Sequence, residues 1–181
     1  MSVMPQLIRT SLSCLVLLAL GPATANPGAD TNASDVNNPF YGKWTYRSWI
    51  NDPEPVDVTP PEKKAEKMAK LLFAEAELVF ENAPVGEIKG KLDIGTYGTL
   101  TIFGSVGYGT PFSIRMQGIG KDKGSPSEGW VYDYVGWLVP SWPNGVNQRP
   151  AIVGSVIRTV PHSNGQAKAG VVASFIAVRK E

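Results

Sequence analysis

Trp130, Tyr132 and Tyr134 alternate along Trp130-Val131-Tyr132-Asp133-Tyr134, and Tyr46 and Ser48 repeat the spacing of two earlier in the chain. Residues two apart on an extended strand share a face. Each set therefore offers amphipathic groups to one side. A ring with a hydroxyl or an indole N–H brings an apolar body for burial and a polar tip for orientation, which is the chemistry of a small-molecule pocket. The same rings could simply fill a core, and both readings stay open. Arg158 could pair with an anionic ligand group or with a surface carboxylate. His162, in Pro161-His162-Ser163-Asn164-Gly165, could meet a ligand or sit as an exposed turn residue. The candidate ligand-binding set is Tyr46, Ser48, Trp130, Tyr132, Tyr134, Arg158 and His162.

Other chemistry finds little support. The chain has one His and one Cys in 181 residues, so neither a multi-histidine metal centre nor an internal disulfide can form. No metal, cofactor or catalytic residue is assigned. Gly104-x-x-Gly107-x-Gly109 reads as a hairpin turn, since no strand-to-helix phosphate cradle surrounds it. An enzyme of cyclase or isomerase type, shaping a substrate with Tyr or Asp133 moving a proton, is kept as the alternative. A formal net charge of +1 with 18% charged residues leaves no footprint for nucleic acid. The expected partner is a small apolar or aromatic ligand.

Residues 1–25 read as a secretory signal peptide, with Arg9 in the charged region, an apolar stretch Cys14–Leu20 and the small-residue site Ala23-Thr24-Ala25. The mature protein is then expected in the periplasm or outside the cell, without a cysteine and with equal numbers of acidic and basic residues. The apolar stretch is too short for a bilayer span, and no stable membrane insertion is expected. Residues 26–39 read as a flexible arm and 40–181 as one domain.

Short runs with strand chemistry recur at 41–50, 72–80, 86–94, 97–105, 111–119, 129–139, 151–159 and 170–179, separated by turn signals. The third is the cleanest: Ile88, Gly90, Leu92 and Ile94 alternate with Glu87, Lys89, Lys91 and Asp93. The same phasing puts Ala74, Ala76, Leu78 and Phe80 inward, with Leu100, Ile102, Phe112, Ile114 and Met116. A helix is expected from Thr59-Pro60-Pro61-Glu62 to about Lys70, with Thr59 as cap, Pro60 at the first helical position and Glu66 supporting i,i+4 pairs. Eight sequential strands with mostly short connections satisfy their edges best as an antiparallel up-and-down β-barrel, with a two-sheet sandwich as runner-up.

Gly42-Lys43-Trp44 opens the first run and Ala177-Val178-Arg179 closes the last. With the strand count and the long first loop, this resembles the calycin superfamily of lipocalin- and avidin-like barrels. The resemblance implies that Trp44 lies across the closed end with Arg179 packed on its face, and that the open end binds a small ligand. The lipocalin disulfide cysteines are missing and the avidin ligand contacts do not map one by one, so no particular ligand is implied.

Loop parity in such a barrel places the helix as a lid, the Lys121–Glu128 loop and the Thr159–Ala169 loop at one mouth. The loop Pro140-Ser141-Trp142-Pro143-Asn144-Gly145 falls at the other end as an aromatic plug. Inward Gly90, Gly98, Ala74 and Ala76 would leave space inside, unless the glycines mark strand bends. The runs within 129–179 are apolar in both phases, so their outer face is expected to be covered by a second copy or by the arm. A third reading is an envelope-structural or protein-interaction domain with a filled barrel.

Overall fold

A computed structural model describes residues 38–53, 60–139 and 144–181. The leader, most of the arm, Thr59 and the Pro140–Pro143 part of the plug lie outside the described residues. The chain forms eight strands: β1 (Gly42–Ile50), β2 (Leu72–Phe80), β3 (Glu87–Asp93), β4 (Thr99–Gly107), β5 (Ser113–Ile119), β6 (Val131–Val139), β7 (Ala151–Arg158) and β8 (Val172–Arg179). Each pairs antiparallel with its sequence neighbour, and β1 pairs with β8 to close the barrel. The structure is compatible with a calycin-like barrel, and the sandwich is excluded by the closing pair.

Alternation sets the interior. Ile88, Leu92, Leu78, Phe80, Leu100, Ile102, Ile114 and Met116 are buried, while Glu87, Lys89, Lys91 and Arg115 point to water. On β3 the barrel is thus apolar inside and charged outside. Among the described residues no helix is long and apolar enough to cross a membrane.

One end is sealed. Trp44 is fully buried, pairs across the closing strands with Arg179, and carries the Arg179 guanidinium over its ring at 4.9 Å. Its indole N–H donates to the Phe40 carbonyl at 2.8 Å. Phe40, also fully buried, meets Phe80 edge-on, and an Asn38 side chain accepts from the Phe40 N–H at 3.0 Å to turn the chain into place. The residues just before β1 thus cover the floor.

Three sequence expectations change. The helix α1 spans Pro61–Leu71, with Pro60 in the cap position and no side-chain cap; Glu66 does pair with Lys70 at 2.7 Å. None of its residues is buried, in keeping with the solvated helix face that its interleaved Lys and Glu residues suggest. Gly104 belongs to β4 and not to a turn. The inward glycine Gly90 also leaves no space: a Cβ there would lie 2.2 Å from the Val79 carbonyl oxygen, so the missing side chain admits a neighbouring strand. Gly98 lies outside the strands, at φ +94° after the 3-10 turn Gly95–Tyr97.

On the outer wall Val135, Trp137, Val153, Ile157 and Val172 are exposed. They form an apolar band over β6 to β8 that the other described residues leave open.

Candidate functional site

Towards the end opposite Trp44 the barrel holds a cavity of about 340 Å³. Tyr46, Trp130, Tyr132, Tyr134, Arg158 and His162 all line it, so six of the seven candidate residues come together. Ser48 does not line it; it is fully buried, and its Oγ meets no hydrogen-bond partner.

Strand pairing explains the convergence. Tyr132 stands opposite Arg158 in the β6–β7 register, and Val156, two residues before Arg158, is buried. Period two therefore sends the Arg158 side chain inward, which resolves the phase that the apolar β7 sequence left ambiguous. The Arg158 guanidinium lies over the Phe73 ring at 5.0 Å, and its Nη1 donates to the Lys168 carbonyl at 3.0 Å. Its Nε is buried without a partner.

His162 reaches the cavity from the β7–β8 connection. Its backbone N–H donates to the Ala167 carbonyl at 3.0 Å and its carbonyl accepts from Ala167 and Gly165. Ser163, Asn164 and Gly165 all take positive φ to close this tight turn. The imidazole then stacks on Trp130 at 4.0 Å with 18° between planes. Its Nε2 lies 2.7 Å from the Tyr132 hydroxyl and its Nδ1 2.9 Å from Ser163 Oγ.

Below this polar rim the rings of Tyr46, Tyr134 and Phe175 pack together, Tyr46 stacking on Phe175 at 5.5 Å. Burial pushes the Tyr46 hydroxyl far up, and pushes Tyr134 up with help from neighbouring Tyr46 and Tyr132. Burial also raises Tyr132, against the opposing pull of Arg158. All three phenols stay protonated at neutral pH and can donate hydrogen bonds. Among the described residues no cluster of metal-ligating side chains occurs.

Burial, then the nearby Arg158 charge, lowers the His162 pKa below its ordinary 6.5. The unfolded chain takes up this proton at a higher pH than the folded one. Stability is therefore undiminished above the ordinary value and declines as pH falls through it towards the folded value. Urea unfolding at pH 7.5 and pH 5 is expected to show a larger loss for the wild type than for His162→Gln. Equal losses would mean that the ring has no such linkage.

Phe73, Leu72, Glu75 and Tyr97 also line the cavity without having been singled out. A bulge between Ser48 and Trp49 shifts the β1–β2 register so that Ser48 faces Ala74 and Trp49 faces Leu72. Strict alternation would turn Phe73 away from Ala74, yet beside the bulge both line the cavity. Tyr97 sits in the turn after β3 and contacts Trp130 at 5.9 Å between ring centres. No sequence pattern marks a turn residue of this kind.

No family model and no curated protein matches the chain.

Proposed function

We propose that this barrel binds a small, largely apolar ligand in the cavity at its open end. The observation that carries the reading is a cavity of about 340 Å³ whose walls combine Leu92, Ile94, Leu100 and Ala74 with the polar tips of Tyr46, Tyr132 and Tyr134. That volume falls at the lower end of what small-molecule sites use, and the mixture of apolar wall with few convergent polar groups is their usual chemistry. A structural domain with a filled interior has no use for such a space. The leader sequence adds export to the periplasm or the exterior, where a small-molecule carrier would meet its ligand.

The neutral fluorophore N-phenyl-1-naphthylamine tests this directly. It is expected to bind wild-type protein with one-site saturation and rising emission. Ala74→Phe projects a ring into the cavity and should weaken binding at least tenfold while leaving the circular dichroism of the barrel unchanged. Failure of the fluorophore to bind, or binding untouched by Ala74→Phe, would remove the reading.

A second reading rests on one contact. The Tyr132 hydroxyl at 2.7 Å from His162 Nε2 supplies a proton donor and acceptor within the cavity, as an isomerase or cyclase would need. Binding requires only that this pair hydrogen-bond a ligand; the enzyme reading requires turnover that Tyr132→Phe abolishes.

A further inference from the structure

We propose that the ligand carries one carboxylate on its apolar body, and that Arg158 and Tyr132 hold this carboxylate. The proposal rests on the reading of the cavity as a binding site and adds the chemical class of what binds.

Among the described residues that line the cavity, Arg158 is the only permanent cation and Glu75 the only carboxylate. Glu75 is already engaged, 2.6 Å from Arg47, with both side chains more than half exposed. Arg158 forms no ion pair with any described residue. Its protein contacts are the Lys168 carbonyl at Nη1 and the face of Phe73, and Tyr132 stands opposite it in the β6–β7 register. The Nε is left buried with an unmade hydrogen bond.

A buried guanidinium donor without an acceptor is costly, and the cost is relieved when an acceptor arrives. With Nη1 committed to Lys168, the remaining edge of the guanidinium is the one formed by Nε and Nη2. Two parallel N–H groups on that edge match the two oxygens of a carboxylate. A doubly charged phosphate would leave one negative charge and an oxygen unanswered, because no second cation is found among the described residues that line the cavity.

Tyr132 supplies the third donor. When the His162 proton resides on Nε2 it is given to the Tyr132 oxygen, which leaves the phenolic proton free for the ligand. When the proton resides on Nδ1, it is donated to Ser163 Oγ, and the phenol donates to Nε2 instead. Stacking on Trp130 holds the imidazole in reach for either arrangement. Beyond the polar rim, Leu92, Ile94 and Leu100 offer only hydrocarbon, which suits the body of an aryl or short acyl acid.

Isothermal titration with 2-naphthoate and 2-naphthamide tests the proposal, since the two share a body and differ in the charged group. Wild-type protein is expected to bind the acid at least tenfold more tightly. Arg158→Gln should bring the ratio of acid to amide affinity to near one, and Arg158→Lys should keep only part of the preference because a point charge lacks the flat two-donor edge. Equal affinity of acid and amide for the wild type, or an unchanged preference in Arg158→Gln, would overturn it. Amide binding without preference sinks the carboxylate alone; absence of binding by either compound and by the neutral fluorophore sinks the ligand reading with it. The wild-type comparison needs no variant to fold.

Discussion

Trp44→Ala is expected to lower the unfolding free energy of the barrel by about 3–5 kcal/mol, the usual range for truncating a large buried aromatic. Trp44 has no exposed surface, packs edge-on against Phe80 at 6.3 Å and lies under the Arg179 guanidinium. Its N–H also fixes the Phe40 carbonyl, and Phe40 is the ring that covers the floor. Removing the indole thus opens a hole and releases the segment that would have to collapse into it. Arg179 loses its platform too, although it still donates to the carbonyls of Pro39 and Tyr41. Arg179→Ala should cost less, because a cation over an indole contributes about 0.5–2 kcal/mol. Urea unfolding followed by circular dichroism measures both. A loss below about 1 kcal/mol for Trp44→Ala would show that the floor relaxes into the space, against the usual behaviour of a packed interior.

The Trp44–Arg179 contact is the one that the calycin resemblance implies, and most of the barrel was legible in the sequence for a physical reason. Eight runs with period two and short connections leave few ways to satisfy strand edges, and closing a meander sets the first strand against the last. The inward tyrosines of β1 and β6 followed from the same alternation. Arg158 was less legible, because β7 carries apolar residues on both faces and only its pairing with Tyr132 settles the phase. Phe73 was hidden by the bulge at Ser48 and Trp49, a break in period that sequence alternation does not announce. The contact between Tyr132 and His162 joins residues 30 apart. It depends on a turn with three consecutive positive φ values, and Pro161-His162-Ser163-Asn164-Gly165 suggests a turn without saying where its imidazole points. The glycines were legible only as two alternatives, space or bend, since a missing side chain looks the same in sequence whether a cavity or a neighbouring backbone fills its place.

Gly154→Ala separates those alternatives with a large expected effect. Gly154 pairs with Gly136 between β7 and β6. An added Cβ at Gly154 would lie 2.0 Å from the Val135 carbonyl oxygen, 2.7 Å from Gly136 Cα and 2.8 Å from the Phe175 ring. Two of these atoms are backbone, so the strain can be relieved only by moving strands that are hydrogen-bonded on both sides. Overpacking costs about 1–3 kcal/mol where side chains can adjust, and the cost here should reach or exceed the upper figure. Gly118→Ala provides the contrast within the same barrel. Its added Cβ would meet Ile102 Cδ1 at 3.0 Å, the Tyr134 ring at 3.3 Å and Leu100 Cδ1 at 3.4 Å, all side-chain atoms that can give way. The Gly118 variant is expected to fold with a loss of about 1 kcal/mol, the lower end of the overpacking range. The Gly154 variant should be recovered largely unfolded or with its urea midpoint sharply lowered. Any folded fraction should also bind the naphthyl fluorophore differently, because Phe175 packs on Tyr46 and Tyr134 beneath the cavity. Equal midpoints for the two variants would mean that β6 and β7 can part at Gly136 and Gly154 without cost. The glycines would then mark unused space and not the close approach of neighbouring strands.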